Sequence, residues 1–198
     1  MSYDKADAAR RQLGTALQLF IDDRDPVSVH CLACGGVELA EHLVAKTEHP
    51  PFALHALETF PDLDRRKLVE IRNRYWNAFK HATKTGGGAE RNDGDLLAAF
   101  TDEVNDHLLF TGWFDYGRAV GCMPIEAQAF QAWYFAKFPE KAREDVDLEP
   151  YDRLFPSVLS LPRNKQKAML RRVIARARLN REVMSDPRTD RRALILRA

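Results

Sequence analysis

Ile71-Arg-Asn-Arg-Tyr-Trp-Asn-Ala-Phe-Lys-His81 repeats its apolar and polar residues with a helical period rather than a period of two. At about 100° per residue, Glu70, Arg74, Asn77 and His81 fall on one narrow polar stripe. Leu68, Ile71, Tyr75, Ala78 and Ala82 form the apolar stripe beside it. The spacing predicts an amphipathic helix that starts after Asp62 or Asp64 and is ended by Gly86-Gly-Gly88. On that helix Arg74 and His81 stand two turns apart with Asn77 between them. A permanent cation, an amide and an imidazole thus share the edge of a buried surface, a set that can act on a phosphodiester without a metal. The same residues suit a structural role equally well: Glu70 and Arg74 are spaced for an i,i+4 ion pair, and a histidine beside a core is commonly hydrogen-bonded in place.

Outward from this stretch the periodicity stays helical and no alternating strand pattern appears. Leu13, Ala16, Leu17 and Phe20 place a helix over residues 3–21; Asp25 and Pro26 cap and open a second that runs to about residue 45. Pro50-Pro51 breaks the chain, and a short helix over 53–59 stops before Pro61. A long helix is expected over 95–120. Gly121 and Pro124 separate it from 125–138, where Phe130, Trp133, Tyr134, Phe135 and Phe138 require a core or a subunit interface. Beyond Pro139 the chain turns acidic, breaks at Pro150, Pro156 and Pro162, and ends in a basic helix. The expected fold is all-α: an up-and-down bundle of four or five main helices over residues 1–139, followed by an acidic linker and a basic helical extension over 140–198. Gly86-Gly-Gly88 reads as a connection, since no Gly-Lys-Ser/Thr follows it and no strand precedes it.

The composition is globular, with 45% hydrophobic and 30% charged residues in 198. The amino terminus lacks the apolar run of a secretory signal, and no segment approaches the ~20 apolar residues of a membrane span. Three cysteines, Cys31, Cys34 and Cys122, do not suggest a disulfide framework. These features point to the cytoplasm and away from a membrane partner. The formal charge of +1 conceals an asymmetry: residues 162–198 hold twelve Lys/Arg against three acids, a surplus of nine, so residues 1–161 carry −8. The basic segment can gather polyanions, dock on the chain's own acidic surface, or remain a solvated helix.

His30, Cys34, Glu38 and His42 recur at i+4 in the second helix, and Cys31-Leu-Ala-Cys34 is a Cys-x-x-Cys pair. Residues four apart drift about 40° per step around a helix, so two or three of them at most can share a metal. His30, Cys34 and Glu38 are the set that would do so. A second Cys-x-x-Cys and a His-x-x-x-His are both lacking, and the pair lies more than a turn inside the helix, where cysteine reads as a small core residue. No metal or other cofactor is assigned.

Asp25-Pro-Val-Ser-Val-His-Cys-Leu-Ala-Cys-Gly-Gly-Val-Glu-Leu39, Trp76-Asn-Ala-Phe-Lys-His81 and Ala127-Gln-Ala-Phe-Gln-Ala-Trp-Tyr-Phe-Ala-Lys-Phe-Pro139 together resemble a family of bacterial proteins related to the HEPN superfamily. Its signature is an arginine, four to six arbitrary residues and a histidine. Arg74 and His81, with six residues between them, match it, although Tyr75 stands where a polar residue is common. The resemblance spans roughly residues 5–139 and implies a small helical bundle. It further implies a homodimeric, metal-independent ribonuclease, in some members a toxin paired with an antitoxin, with Arg74, Asn77 and His81 as catalytic residues. Lys80, Lys84, Arg171, Arg172 and Arg176 are the candidate RNA-binding cations. Two alternatives remain open at this stage: a non-catalytic helical scaffold that binds RNA or protein, and the metal-binding bundle centred on His30, Cys34 and Glu38.

Overall fold

Asp4 opens the first helix, α1 (Lys5–Ile21), by accepting the Asp7 backbone N–H at 2.7 Å. Asp25 does the same for α2 (Pro26–Val44), accepting from Val27 and Ser28 with Pro26 in the first turn. Asp64 caps α4 (Arg65–Lys80) by accepting from Lys67. Each such cap satisfies an orphan donor and is worth about 1 kcal/mol. Between α2 and α4 lies the short α3 (Phe52–Thr59). The remaining helices are α5 (Gly94–Ala98), α6 (Val104–Val120), α7 (Ile125–Lys137), α8 (Glu149–Leu154), α9 (Arg163–Leu179) and α10 (Arg181–Ser185). The computed structural model describes residues 3–84, 88–142 and 146–196. Over these the protein is all-α, a bundle of five main helices (α1, α2, α4, α6, α7) with a helical carboxyl-terminal extension. Among the described residues, strand is confined to a two-residue parallel pairing of β1 (Met123–Pro124) with β2 (Thr189–Asp190), apart from one isolated bridge.

The core centres on Leu13. It points from α1 into the place where α2 and α6 carry glycines: a Cβ on Gly36 would lie 2.6 Å from Leu13 Cγ, and one on Gly112 2.6 Å from Leu13 Cδ2. Three helices therefore meet around one leucine, a distance of approach that any larger residue would prevent. α2 is the central helix, with Val29, Ala33, Val37, Ala40 and Val44 fully buried, and it packs against both α1 and α6. By length and composition α2 is long and apolar enough to cross a membrane, an exception to the expectation that no segment is. The aromatic helix α7 faces inward: Phe130 and Trp133 are fully buried, Phe20 meets them edge-on at 5.4 and 5.9 Å, and Tyr134 stacks on Phe110 at 3.9 Å. These rings fill the core of the chain itself, the first of the two alternatives given by the sequence.

One expectation changes here, and one of the alternatives left open is decided. The helix expected over 95–120 is broken at 99–103 into α5 and α6. The break turns Phe100 onto Tyr75 and Phe79, each at 5.0 Å, and presents Asp102 to Arg163 and Lys167. Those tertiary contacts offset the lost helical hydrogen bonds. The basic extension, in turn, is docked on the acidic body. Arg163 binds Asp102 and Asp106, Lys167 binds Asp23 and Asp102, and Arg178 binds Glu126. Residues beyond 139 contribute Phe155, Val158, Leu170, Ile174 and Leu194 to the same hydrophobic core as α1 and α2. The last described turn is clamped by Arg10, fully buried, whose guanidinium donates to Asp190 Oδ2 and to the carbonyls of Ala193 and Leu194.

Candidate functional site

α4 lies on the bundle through Tyr75, its one buried residue among those described, with Trp76 and Phe79 half-buried on either side. The helix stops at Lys80, well short of the glycines expected to end it. Of those, Gly86 and Gly87 lie outside the described residues, and Gly88 takes a left-handed φ of 65°. His81 is already extended, with φ −125° and ψ 115°, and its backbone N–H closes the last turn on the Asn77 carbonyl at 3.1 Å. From there the chain doubles back, with Lys84 N–H on Ala89 O, Arg91 N–H on Ala82 O, and a bridge between Thr83 and Glu90. The polar stripe is therefore broken at its end: Arg74 and Asn77 stay on the helix face, and the His81 side chain leaves from the turn that follows it. Helical phase does not set its direction.

The i,i+4 pair between Glu70 and Arg74 does not form. Glu70 accepts from Lys67 at 3.3 Å, while the Arg74 guanidinium lies over the Tyr75 ring, 4.6 Å from its centroid, with one nitrogen 3.4 Å from the Tyr75 hydroxyl. Lys80 rests its ammonium 3.5 Å above the Trp76 ring. Arg74, Lys80, His81 and Lys84 are all exposed, and Asn77 is half-buried. None of Arg74, Lys80 and Lys84 has a carboxylate partner among the described residues. An aromatic face holds a cation without neutralising it, so this edge keeps its positive charge. In α9, Arg171 donates to the Ile21 carbonyl at the end of α1 at 2.5 Å, whereas Arg172 and Arg176 are exposed. α9 packs against α7 and α1, and α4 against α2, α3 and α5, so the two groups of candidate RNA-binding cations sit on different elements, Lys80 and Lys84 at the end of α4 and in the turn beyond it, the arginines on α9.

Beneath α4 sits His30, 1% exposed, with the rings of Phe100, Phe79 and Tyr75 edge-on to it at 5.5, 5.8 and 5.9 Å. Asn105 settles its tautomer. The Asn105 amide nitrogen donates to the Pro26 carbonyl at 3.0 Å, so its oxygen accepts, and His30 Nδ1, 2.9 Å away, must carry the proton. Burial holds the ring's pKa below the ordinary histidine value, partly opposed by Asn105. Nε2 is then a bare acceptor, and it has no hydrogen-bond partner among the described residues. The alternative metal set does not assemble: His30 and Cys34 are buried while Glu38 is exposed, and no three His, Cys, Asp or Glu side chains among the described residues are placed to hold a metal. Burial pushes the Cys34 thiol up to about 12, which suppresses the thiolate that redox or metal chemistry would need.

A residue the sequence did not single out completes the region. Asp115 on α6 is 1% exposed; one carboxylate oxygen accepts the Phe52 backbone N–H at 2.8 Å and the other has no partner among the described residues. Burial first, with Glu41 adding to it, raises its pKa to about 6 against the opposing pull of the Phe52 N–H, Arg118 and Arg72. His30 and Asp115 both line a cleft of about 370 Å³ between α2, α3, α4 and α6, and Arg74 stands in its wall. The one signal in the sequence is an acid seven residues after Leu108, on the inward face of an apolar helix.

Among protein-family models, curated proteins and solved structures, none matches this chain. The likeness to HEPN proteins therefore rests on the residues themselves.

Proposed function

We propose that the protein is a metal-independent endoribonuclease that acts as a homodimer, with the edge of α4 as its phosphate-gripping surface. The observation that carries this reading is Arg74, exposed, without a carboxylate partner, and laid on the Tyr75 ring with its fork available. A guanidinium so placed can hold two non-bridging phosphate oxygens and stabilise the charge that grows on them during attack. His81, in the turn beyond the helix, takes the proton of the ribose 2′-hydroxyl as general base, and Asn77 orients the phosphate. Because the nucleophile belongs to the substrate, no metal-activated water is called for. Lys80 and Lys84 extend the charge along the strand, and Arg171, Arg172 and Arg176 add salt-dependent affinity from α9. One edge supplies one arginine and one histidine, so a second copy facing it completes the site. In a toxin-like setting an antitoxin protein would cover the same edge.

The test is cleavage of a varied single-stranded RNA pool by purified dimer, with binding measured in parallel. A positioned base contributes about 10²–10⁴-fold, so His81→Ala is expected to abolish detectable cleavage without lowering thermal stability, since the side chain is exposed. Arg74→Lys retains the charge and loses the fork, and is expected to be comparably severe. Chelator is expected to leave the rate unchanged. Wild-type protein that binds the pool in an Arg74-dependent way and leaves it intact would replace the enzyme with the RNA-binding scaffold; neither binding nor cutting would end the reading.

A further inference from the structure

His30 and Asp115 are the two buried side chains that line the cleft beneath α4 and also carry an unpartnered polar atom. Both atoms are acceptors: Nε2 of a ring whose proton sits on Nδ1, and the carboxylate oxygen of Asp115 that Phe52 does not use. A buried acceptor without a donor is a cost to the folded state that natural structures seldom leave standing. The two are far apart along the cleft. His30 is tied to Asn105, and Asn105 and Asp115 stand ten residues apart on α6, roughly 15 Å at a rise of 1.5 Å per residue. Between them the walls are largely apolar, formed by Phe52, Ala53, Ala56, Leu68, Ile71 and Leu108, with Arg72 and Arg74 also in the lining. The cleft volume of about 370 Å³ falls within the range of small-molecule sites.

From this geometry we infer that the cleft binds an elongated small molecule with an apolar middle and a hydrogen-bond donor at each end: an ammonium that meets Asp115 and a hydroxyl that donates to His30 Nε2. Asp115 is the ammonium end because a carboxylate there gains a charge-assisted bond, whereas His30 is neutral and ringed by Tyr75, Phe79 and Phe100, which suit an uncharged donor. Glu41 adds negative charge on the Asp115 side, although Arg72 and Arg65 bind it. An anionic amphiphile of the same length is disfavoured, since neither of the two acceptors can donate to it and Asp115 repels it, while the guanidiniums of Arg72 and Arg74 in the wall are engaged by Glu41 and by the Tyr75 ring. Arg74, which the proposed ribonuclease edge uses, also stands in the wall of this cleft, so the cleft adjoins that edge and binding rather than cleavage is the readout.

The probes are ω-aminooctanol, octylamine, octanol and octanoate, titrated into the full-length wild-type protein by calorimetry, with the His30 ring nitrogens followed by NMR. ω-Aminooctanol is expected to bind one per chain. Octanoate is expected to bind at least about tenfold more weakly, and the His30 Nε2 resonance to shift with the two hydroxyl probes but not with octylamine. Asp115→Asn keeps an acceptor for Phe52 and removes the anion; it is expected to weaken the two amines about tenfold or more and octanol by under about threefold. Ala56→Phe fills the middle of the cleft and is expected to abolish all binding. Octanoate binding as tightly as the amine, a silent His30 Nε2, or binding that survives Ala56→Phe would each overturn the assignment. So would the absence of binding at low millimolar probe, which would leave water as the donor to both acceptors. The wild-type measurements stand even if a variant fails to fold.

Discussion

Asp106→Asn tests whether the basic extension is part of the fold or an appendage. Asp106 is fully buried and accepts from Lys137 Nζ at 2.8 Å and from two nitrogens of Arg163 at 2.9 and 2.5 Å, so it ties α6 to α7 and α9 at once. Removing one member of a buried charge network strands the others, at a cost of about 3–5 kcal/mol. Asparagine retains one acceptor oxygen, and Asp102 still holds Arg163, so the lower end, about 3 kcal/mol, is the working figure. For a chain of this size that corresponds to a fall in Tm of roughly 6–12 °C. The assay is urea denaturation followed by both tryptophan fluorescence and circular dichroism, with limited proteolysis of the native state. The expected result is one shifted, coincident transition with an unchanged urea dependence, because Leu170, Ile174 and Leu194 belong to the same core as Leu13. A shift below about 1 kcal/mol, or loss of α9 to protease with the main transition unmoved, would refute the reasoning and make residues 140–198 a separable unit.

Two further outcomes follow from the core and the cleft. Gly112→Ala gains up to about 1 kcal/mol in helix propensity but forces its methyl onto Leu13 and Val37, for a net loss of about 1–2 kcal/mol; in a Leu13→Ala background the same change is expected to be neutral or stabilising, and an equal loss in both backgrounds in urea melts would show that the contact is not the cause. Asp115 has a folded pKa of about 6 against an ordinary 3.8, so the native state binds the extra proton between those values and this group's contribution to stability falls as pH rises through that window. Asp115→Asn removes the penalty, so its stability relative to wild type is expected to rise from about pH 4 to about pH 6 and then level off; a pH-independent difference between the two proteins would count against the burial argument.

Much of the helical framework was legible before folding, because its signals are local. Asp25-Pro26 opens α2, Asp64 caps α4, Gly121 takes the left-handed φ that ends α6, and Leu13, Leu17 and Phe20 recur at the spacing that buries them. Each is a choice the backbone makes within a turn or two of the residue responsible. The candidate site was only partly legible. Arg74 and Asn77 keep the face that helical phase predicts, and the Glu70–Arg74 pair, equally well spaced, loses to Lys67 and to the Tyr75 ring.

What the tertiary structure alone decided depends on partners distant in the chain. The helix expected to run unbroken from Asp95 to Val120 gives way at 99–103 because Phe100 finds Tyr75 and Phe79, and Asp102 finds Arg163 and Lys167. The charge surplus of the extension reads from sequence as a surface for polyanions as readily as a docking element; acids more than fifty residues away neutralise Arg163, Lys167 and Arg178. His81 leaves its stripe because the chain turns back to join Ala82, Thr83 and Lys84 to residues 89–91. The cleft, with its two lone acceptors, exists only where α2, α3, α4 and α6 meet. Periodicity and caps determine which residues a helix buries, since they act through bonds within the helix; which neighbour receives that face, and which polar atoms are stranded there without a donor, is determined by the sum of contacts that only the folded chain brings together.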